Sequence, residues 1–182
     1  MTGLLLALLF GIFFQGAGAW RLSDSRADLQ AQAALFLQGL TSEVQQSSAS
    51  SLAVEGEAVS FLSARDGEGR FHNSEQGRPE WQKVIVYYRH PEGALRRREL
   101  ALTAPQSTSL PIQELDLGSG LQPLAFYASE GKVAVRLVRG FTPSRDGPSL
   151  LTVVLDLEQQ VDGRPERTTS RQLRATISLR NR

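Results

Sequence analysis

The chain has 182 residues, no cysteine and a formal net charge of +1, which leaves room for one β-rich domain and an anchor but not for a second catalytic domain. A disulfide framework, thiolate chemistry and cysteine-ligated metal sites are excluded, while compartment is left open. So balanced a charge sets up no global field toward nucleic acid, anionic lipid or a polyanionic substrate, so partners must be argued locally.

From Gly3 to Trp20 the sequence carries no charge, and Gln15 is its only strongly polar residue. That length sits at the lower edge of the roughly 17–25 residues needed to span a bilayer, and it predicts a transmembrane segment over 1–20. Two readings compete. Ala17-Gly18-Ala19 satisfies the small-x-small rule for a secretory signal cleaved after Ala19, although no Lys or Arg precedes the apolar run. A buried core helix would need a larger protein around it.

After Trp20 the residues Leu22, Leu29, Ala33, Phe36, Leu37, Leu40 and Val44 recur at spacings of three, four and seven, with Asp24, Arg26, Asp28, Gln30, Gln32, Gln38 and Glu43 on the other face. This is an amphipathic helix over 21–47. No proline falls between Met1 and Ser51, so the two halves are expected to form one rod of about 45 residues, roughly 65–70 Å long at 1.5 Å per residue.

Beyond the Ser-rich break at Gln46 to Ser51 the period changes, and 48–182 is expected to be a β-rich domain. Candidate strands are Ala58–Ser63, Trp81–Arg89, Arg97–Thr103, Leu124–Ser129, Lys132–Arg139, Leu150–Glu158 and Arg171–Leu179. Hairpin turns are expected at His90-Pro91-Glu92-Gly93, at Glu130-Gly131 and at Asp162-Gly163-Arg164-Pro165. Alternation in Lys132–Arg139 places Val133, Val135 and Leu137 on one packed face. The segments 67–79 and 104–122 read as surface loops. The expected fold class is α+β: a long N-terminal helix, apolar then amphipathic, packed on an antiparallel sheet.

Motifs for chemistry are few. The two histidines, His72 and His90, have no partner motif, and no HExxH, GxSxG, phosphate-binding loop or dinucleotide fingerprint is present. No enzyme activity, cofactor or metal is expected. Asp66-Gly67-Glu68-Gly69 has carboxylates two apart and turn-forming glycines but lacks the remaining oxygen ligands of a calcium loop; a plain turn is the ordinary reading, and a weak calcium site at Asp66 and Glu68 the sharper one. Arg96, Arg97 and Arg98 form the densest basic cluster, extended by Arg136, Arg139, Arg171 and Arg174 if those strands are neighbours. Such clusters bind phosphate, which makes nucleic-acid contact one reading, and a solvated strand edge the other.

A long N-terminal rod ahead of a β-domain of hairpins resembles the type IV pilin and type II secretion pseudopilin superfamily. The start Met1-Thr2-Gly3-Leu4-Leu5-Leu6-Ala7-Leu8 is similar to the beginning of processed pilins, with Leu5 where the family usually has Glu. The closing Ala175-Thr176-Ile177-Ser178-Leu179-Arg180-Asn181-Arg182 is similar to the last strand and Leu-Arg-Asn ending of minor pilins and J-type minor pseudopilins, and the segment from Asp28 to Leu37 to their second helical half. The resemblance implies a minor pilin or pseudopilin, a structural subunit of a type IV pilus or type II secretion filament, with single-pass insertion in a bacterial inner membrane and the globular domain outside. It further implies a processed, methylated terminus at Met1 and packing and anchoring through Leu4, Leu5, Leu8, Phe10, Ile12 and Phe13. Its partners would be other pilin-like subunits, an assembly platform and a prepilin peptidase. Leu5 implies a place at or near the tip, where no preceding subunit offers an amine to a carboxylate. The alternative is a secreted or periplasmic β-sheet binding protein cleaved after Ala19.

Overall fold

The computed structural model describes residues 2–160 and 168–179. Helix α1 (Thr2–Gln45) leads through a 3-10 turn (Ala49–Ser51) into two antiparallel sheets. The first contains β1 (Ala53–Glu55), β2 (Ala58–Ser63), β3 (Trp81–His90), β4 (Ala94–Gln106) and β5 (Lys132–Arg136), in that spatial order. The second contains β6 (Val138–Arg145), β7 (Leu150–Gln160) and β8 (Thr168–Ser178), again in chain order. Each sheet is thus a meander of sequence neighbours, whether the connection is a short hairpin or, as between β4 and β5, a long segment.

The five-stranded sheet is buried on both sides along β2 and β3. Along β2 and β3, Val59, Phe61, Ile85 and Tyr87 point into a core shared with α1 and the second sheet. Their alternating neighbours Ala58, Leu62, Val84, Val86 and Tyr88 point into a separate core under the segment that follows β4. A strand covered on both faces reads as a continuous apolar run, and Val84-Ile85-Val86-Tyr87-Tyr88 is one. The three-stranded sheet is one-sided: Leu151, Val153, Leu155 and Leu157 of β7 face the shared core.

The expected α+β arrangement, a long helix apolar first and amphipathic after laid along one antiparallel sheet, is corrected. The chain is predominantly antiparallel β, divided into two sheets. Along α1, burial among the described side chains begins at Leu29 and continues through Ala33, Phe36, Leu37, Leu40 and Val44, so roughly the last five turns pack on the domain, with Arg26 bonding Thr169 Oγ1 just before them. Every side chain of α1 described before Ser25 is exposed. Among the described residues no helix is long and apolar enough to cross a membrane. The described residues before Ser25 include Gly16, Trp20, Arg21 and Asp24 beside Phe10 and Phe13, whereas Leu4, Leu5, Leu8 and Ile12 have side chains outside those described. The single inner-membrane pass, and the membrane localisation and pilin-type labels attached to it, are corrected on this finding.

Several local expectations are also revised. Leu124–Ser129 is not a strand: Leu124–Tyr127 forms the short helix α2 behind Pro123. Leu124 and Tyr127, three residues apart, fall on one side of a helical turn and are both buried in the second core. The expected strand Lys132–Arg139 is divided at Leu137, whose φ of 63° turns the chain from the first sheet into the second. A side chain at positive φ is strained. That break removes the expected face: Val135 is buried, but Val133 and Leu137 are exposed.

Glu130-Gly131 joins α2 to β5 rather than closing a hairpin. Gly131 is required there because a Cβ would lie 2.7 Å from the Arg97 carbonyl oxygen. The turn after His90 does close a hairpin, with Gly93 N–H donating to the His90 carbonyl at 3.0 Å. The segment 104–122 is no plain surface loop, since it begins inside β4 and inserts Ile112 and Leu115 into the second core. The turn at Asp162 to Pro165 lies outside the described residues.

Leu40 is wholly buried in the shared core, so Leu40→Ala should destabilise by about 2–5 kcal/mol, read from thermal or urea unfolding. A chain beginning at Arg21, by contrast, should keep its melting temperature, because no described side chain before that point is buried.

Candidate functional site

Two features outside the cores hold side chains with something to do: the exposed half of α1, and a charged seam where the end of that helix meets the first sheet. On α1, Phe10, Phe13, Gly16 and Trp20 follow one another at spacings of three and four, so they lie along one stripe. Phe10 is 57% exposed, Phe13 71% and Trp20 81%. Phe13, Gly16, Trp20 and Arg21 outline a shallow hollow along this surface. The glycine between two aromatic rings leaves room for another backbone to approach, as small residues do at helix crossings. Of the residues expected to anchor and pack the rod, Phe10 and Phe13 are therefore placed on this stripe. Met1 lies outside the described residues, as do the side chains of Leu4, Leu5, Leu8 and Ile12. Trp20 was not singled out by sequence, though its spacing from Phe13 was readable.

The seam starts at Glu43 in the last turns of α1. Its carboxylate accepts from Tyr87 Oη at 2.9 Å and from Arg97 Nη2 at 2.9 Å. Arg97 continues to Glu99, which also accepts from Lys83 Nζ at 2.6 Å. The Arg97 guanidinium stands 5.9 Å from the centre of the Tyr87 ring. Burial, and then the Glu43 carboxylate, push the Tyr87 phenol far above its ordinary range. Burial works to raise the Glu99 carboxyl, but the hydrogen bonds from Lys83 and Arg97 outweigh it and hold it below the usual value. Glu43 and Arg97 are 54 residues apart, and no spacing rule could have linked them.

The basic cluster does not act as one patch. In the register of β3 and β4, Arg97 pairs with Tyr87 on the shared-core side, while Arg96 and Arg98 pair with Tyr88 and Val86 on the other. Arg96 bonds Glu92 at 3.0 Å, and Arg98 bonds the Tyr127 carbonyl and Ser129 Oγ at 3.0 Å each. Arg139 pairs with Glu158. Arg136 is on β5, beside this strand, but Arg171 and Arg174 belong to the second sheet. Strand alternation thus splits the triplet, and carboxylates or carbonyls already hold each of its guanidinium groups.

Asp66 organises the turn that was weighed as a calcium loop. Its Oδ1 accepts from the backbone N–H groups of Glu68 and Arg70, each at 2.9 Å, and its Oδ2 from Arg70 Nε at 3.0 Å and His72 Nε2 at 2.8 Å. His72 above all, then the Arg70 and Glu68 donors acting against some desolvation, hold this carboxyl well below its usual range. Both oxygens are occupied by donors. Among the described residues no group of three or more His, Asp or Glu side chains is placed to hold a metal. The Asp66 turn is an Asx turn with a histidine clamp, and His72 is a partner in it rather than a free loop histidine. His90 Nδ1 accepts from the Glu92 N–H within its hairpin.

Comparison with protein-family models, with curated proteins and with solved structures finds no match.

Glu43→Ala should lower stability by about 1–3 kcal/mol in urea unfolding, because it leaves the half-buried Arg97 and the Tyr87 hydroxyl short of an acceptor. For Asp66 the folded-state pKa is the depressed one. Its stabilising contribution is therefore complete above the unfolded value of about 3.9 and is lost as pH falls below it toward the folded value. His72→Ala removes the largest cause of that depression, so Asp66 should protonate at a higher pH than in the wild type when followed by carboxyl NMR.

Proposed function

We propose that this chain is a structural assembly subunit, which packs the first half of α1 against helices of other subunits. It displays the β-domain and performs no catalysis. The observation that supports this reading is the stripe of Phe10, Phe13 and Trp20, exposed on a helix whose other half is embedded in the domain. Aromatic side chains bury roughly 150–250 Å² each when covered, so three on one stripe form an adhesive surface. The seam supports the rest of the reading. Its charges are committed to one another, fixing the angle at which the helix leaves the sheets.

The packing boundary at Leu29 also favours a second reading, a β-sheet binding protein released by cleavage after Ala19, since the core does not draw on any described side chain of the removed segment. Intact mass of the native protein separates the two. A terminus at Trp20 supports the binding protein and removes the assembly surface.

For the assembly reading, Phe13→Glu together with Trp20→Glu should abolish self- or co-assembly in crosslinking and sedimentation while leaving the melting temperature of the β-domain unchanged. Assembly persisting in the double variant would overturn it.

A further inference from the structure

At the end of α1 lies a cavity of about 610 Å³ that neither the assembly surface nor the charged seam explains. Separate stretches of chain converge on it: Gln45 at the helix end, the turn from Ser47 to Ser50, Phe71 and Arg78 from the loop before β3, and Ser107 and Ser109 beyond β4. Its size falls within the roughly 300–1,000 Å³ of small-molecule sites.

The lining has an unusual chemical composition. Seven of its twelve lining residues are serines or glutamines, beside Phe71, Pro79 and Trp81; no carboxylate is present, and Arg78 is the only charged side chain. Ser109 Oγ is buried without a hydrogen-bond partner, a state that costs stability unless something completes it. The Arg78 backbone is tied into its turn through Ser74, yet its guanidinium has no ion-pair or hydrogen-bond partner among the described residues. Phe71 is 39% exposed and offers an apolar ring at the same wall.

We propose that this cavity binds a small acidic carbohydrate, a hexuronate in type. Its carboxylate would pair with the Arg78 fork, a geometry guanidinium is suited to. The ring hydroxyls would exchange hydrogen bonds with Ser109, Ser107 and Gln45, and the apolar face of the sugar would lie on Phe71. One guanidinium without a carboxylate opposite it matches one negative charge. A doubly charged phosphate ester would leave a charge unanswered. This inference is independent of the assembly reading, since no residue of the exposed stripe takes part.

The experiment compares D-galacturonate with D-galactose, which differ only in the carboxylate, by calorimetric titration of the full chain. Galacturonate should bind roughly tenfold or more tightly than galactose, tenfold being about 1.4 kcal/mol. Arg78→Gln should bring the two sugars level, and Phe71→Ala should weaken both. Ser109→Ala should weaken both while the melting temperature stays the same or rises, because a buried hydroxyl kept for a ligand is a burden to the free protein. A merely structural serine would show a lowered melting temperature and unchanged binding. No heat from either sugar at about 20 mM, well past the weak range of about 1 mM, equal binding of the two, or variants that bind as the wild type would each overturn the proposal.

Discussion

Phe36 stands where three elements meet. Its ring approaches Tyr87 of the first sheet edge-on, with centroids 5.6 Å apart, and Phe141 of the second sheet edge-on at 6.4 Å. Tyr87 in turn stacks on Phe61 at 6.3 Å. Edge-on aromatic pairs fix relative orientation as well as burying area. The shared core therefore does more than exclude water: one helical side chain sets the distance between two sheets that, among the described residues, exchange no ladder hydrogen bonds. Leu29, Ala33, Leu40 and Val44 repeat that contact along the helix.

The polar features follow from this core. Tyr87 can reach Glu43 because its ring is already held beneath the helix, and Arg97 joins them because strand alternation places it on the same side. The seam rims the apolar contact, where its charges are half-shielded from solvent and gain more from pairing than fully exposed ones do. On the opposite face of the first sheet, the chain must supply its own cover, and Ile112, Leu115, Leu124 and Tyr127 supply it. This requirement makes the connection between β4 and β5 long.

Periodicity made the strands legible: Ala58–Ser63 has the expected bounds, and β3, β4, β7 and β8 differ from expectation at their ends. The helical stripe from Leu29 to Val44 was equally plain. What could not be read was whatever depends on two distant pieces of chain. Leu124–Ser129 looks like a strand by composition, and only the second core shows why Leu124 and Tyr127 need helical spacing. Lys132–Arg139 alternates without interruption, and nothing in its residues marks Leu137 as the corner between sheets. Division into two sheets is likewise a tertiary outcome, since each hairpin taken alone fits either arrangement. The arginine triplet is continuous in sequence but divided in space, and Asp66 resembles an ion ligand until its donors are seen. The cavity beside Arg78 draws on segments too far apart for any local pattern to suggest it.

The contact between α1 and β8 joins elements far apart in sequence, for Arg26 Nε donates to Thr169 Oγ1 across 143 residues. During synthesis the helix emerges first and its last partner strand emerges last, an interval on the order of ten seconds at typical elongation rates. Both meanders are built from neighbours and can form as they appear, because local pairing is fast. The helix cannot wait in the same way. Its apolar stripe stays only partly covered on the nascent polypeptide until β8 has been made, making this protein a natural client for whatever holds unfinished chains at the ribosome exit.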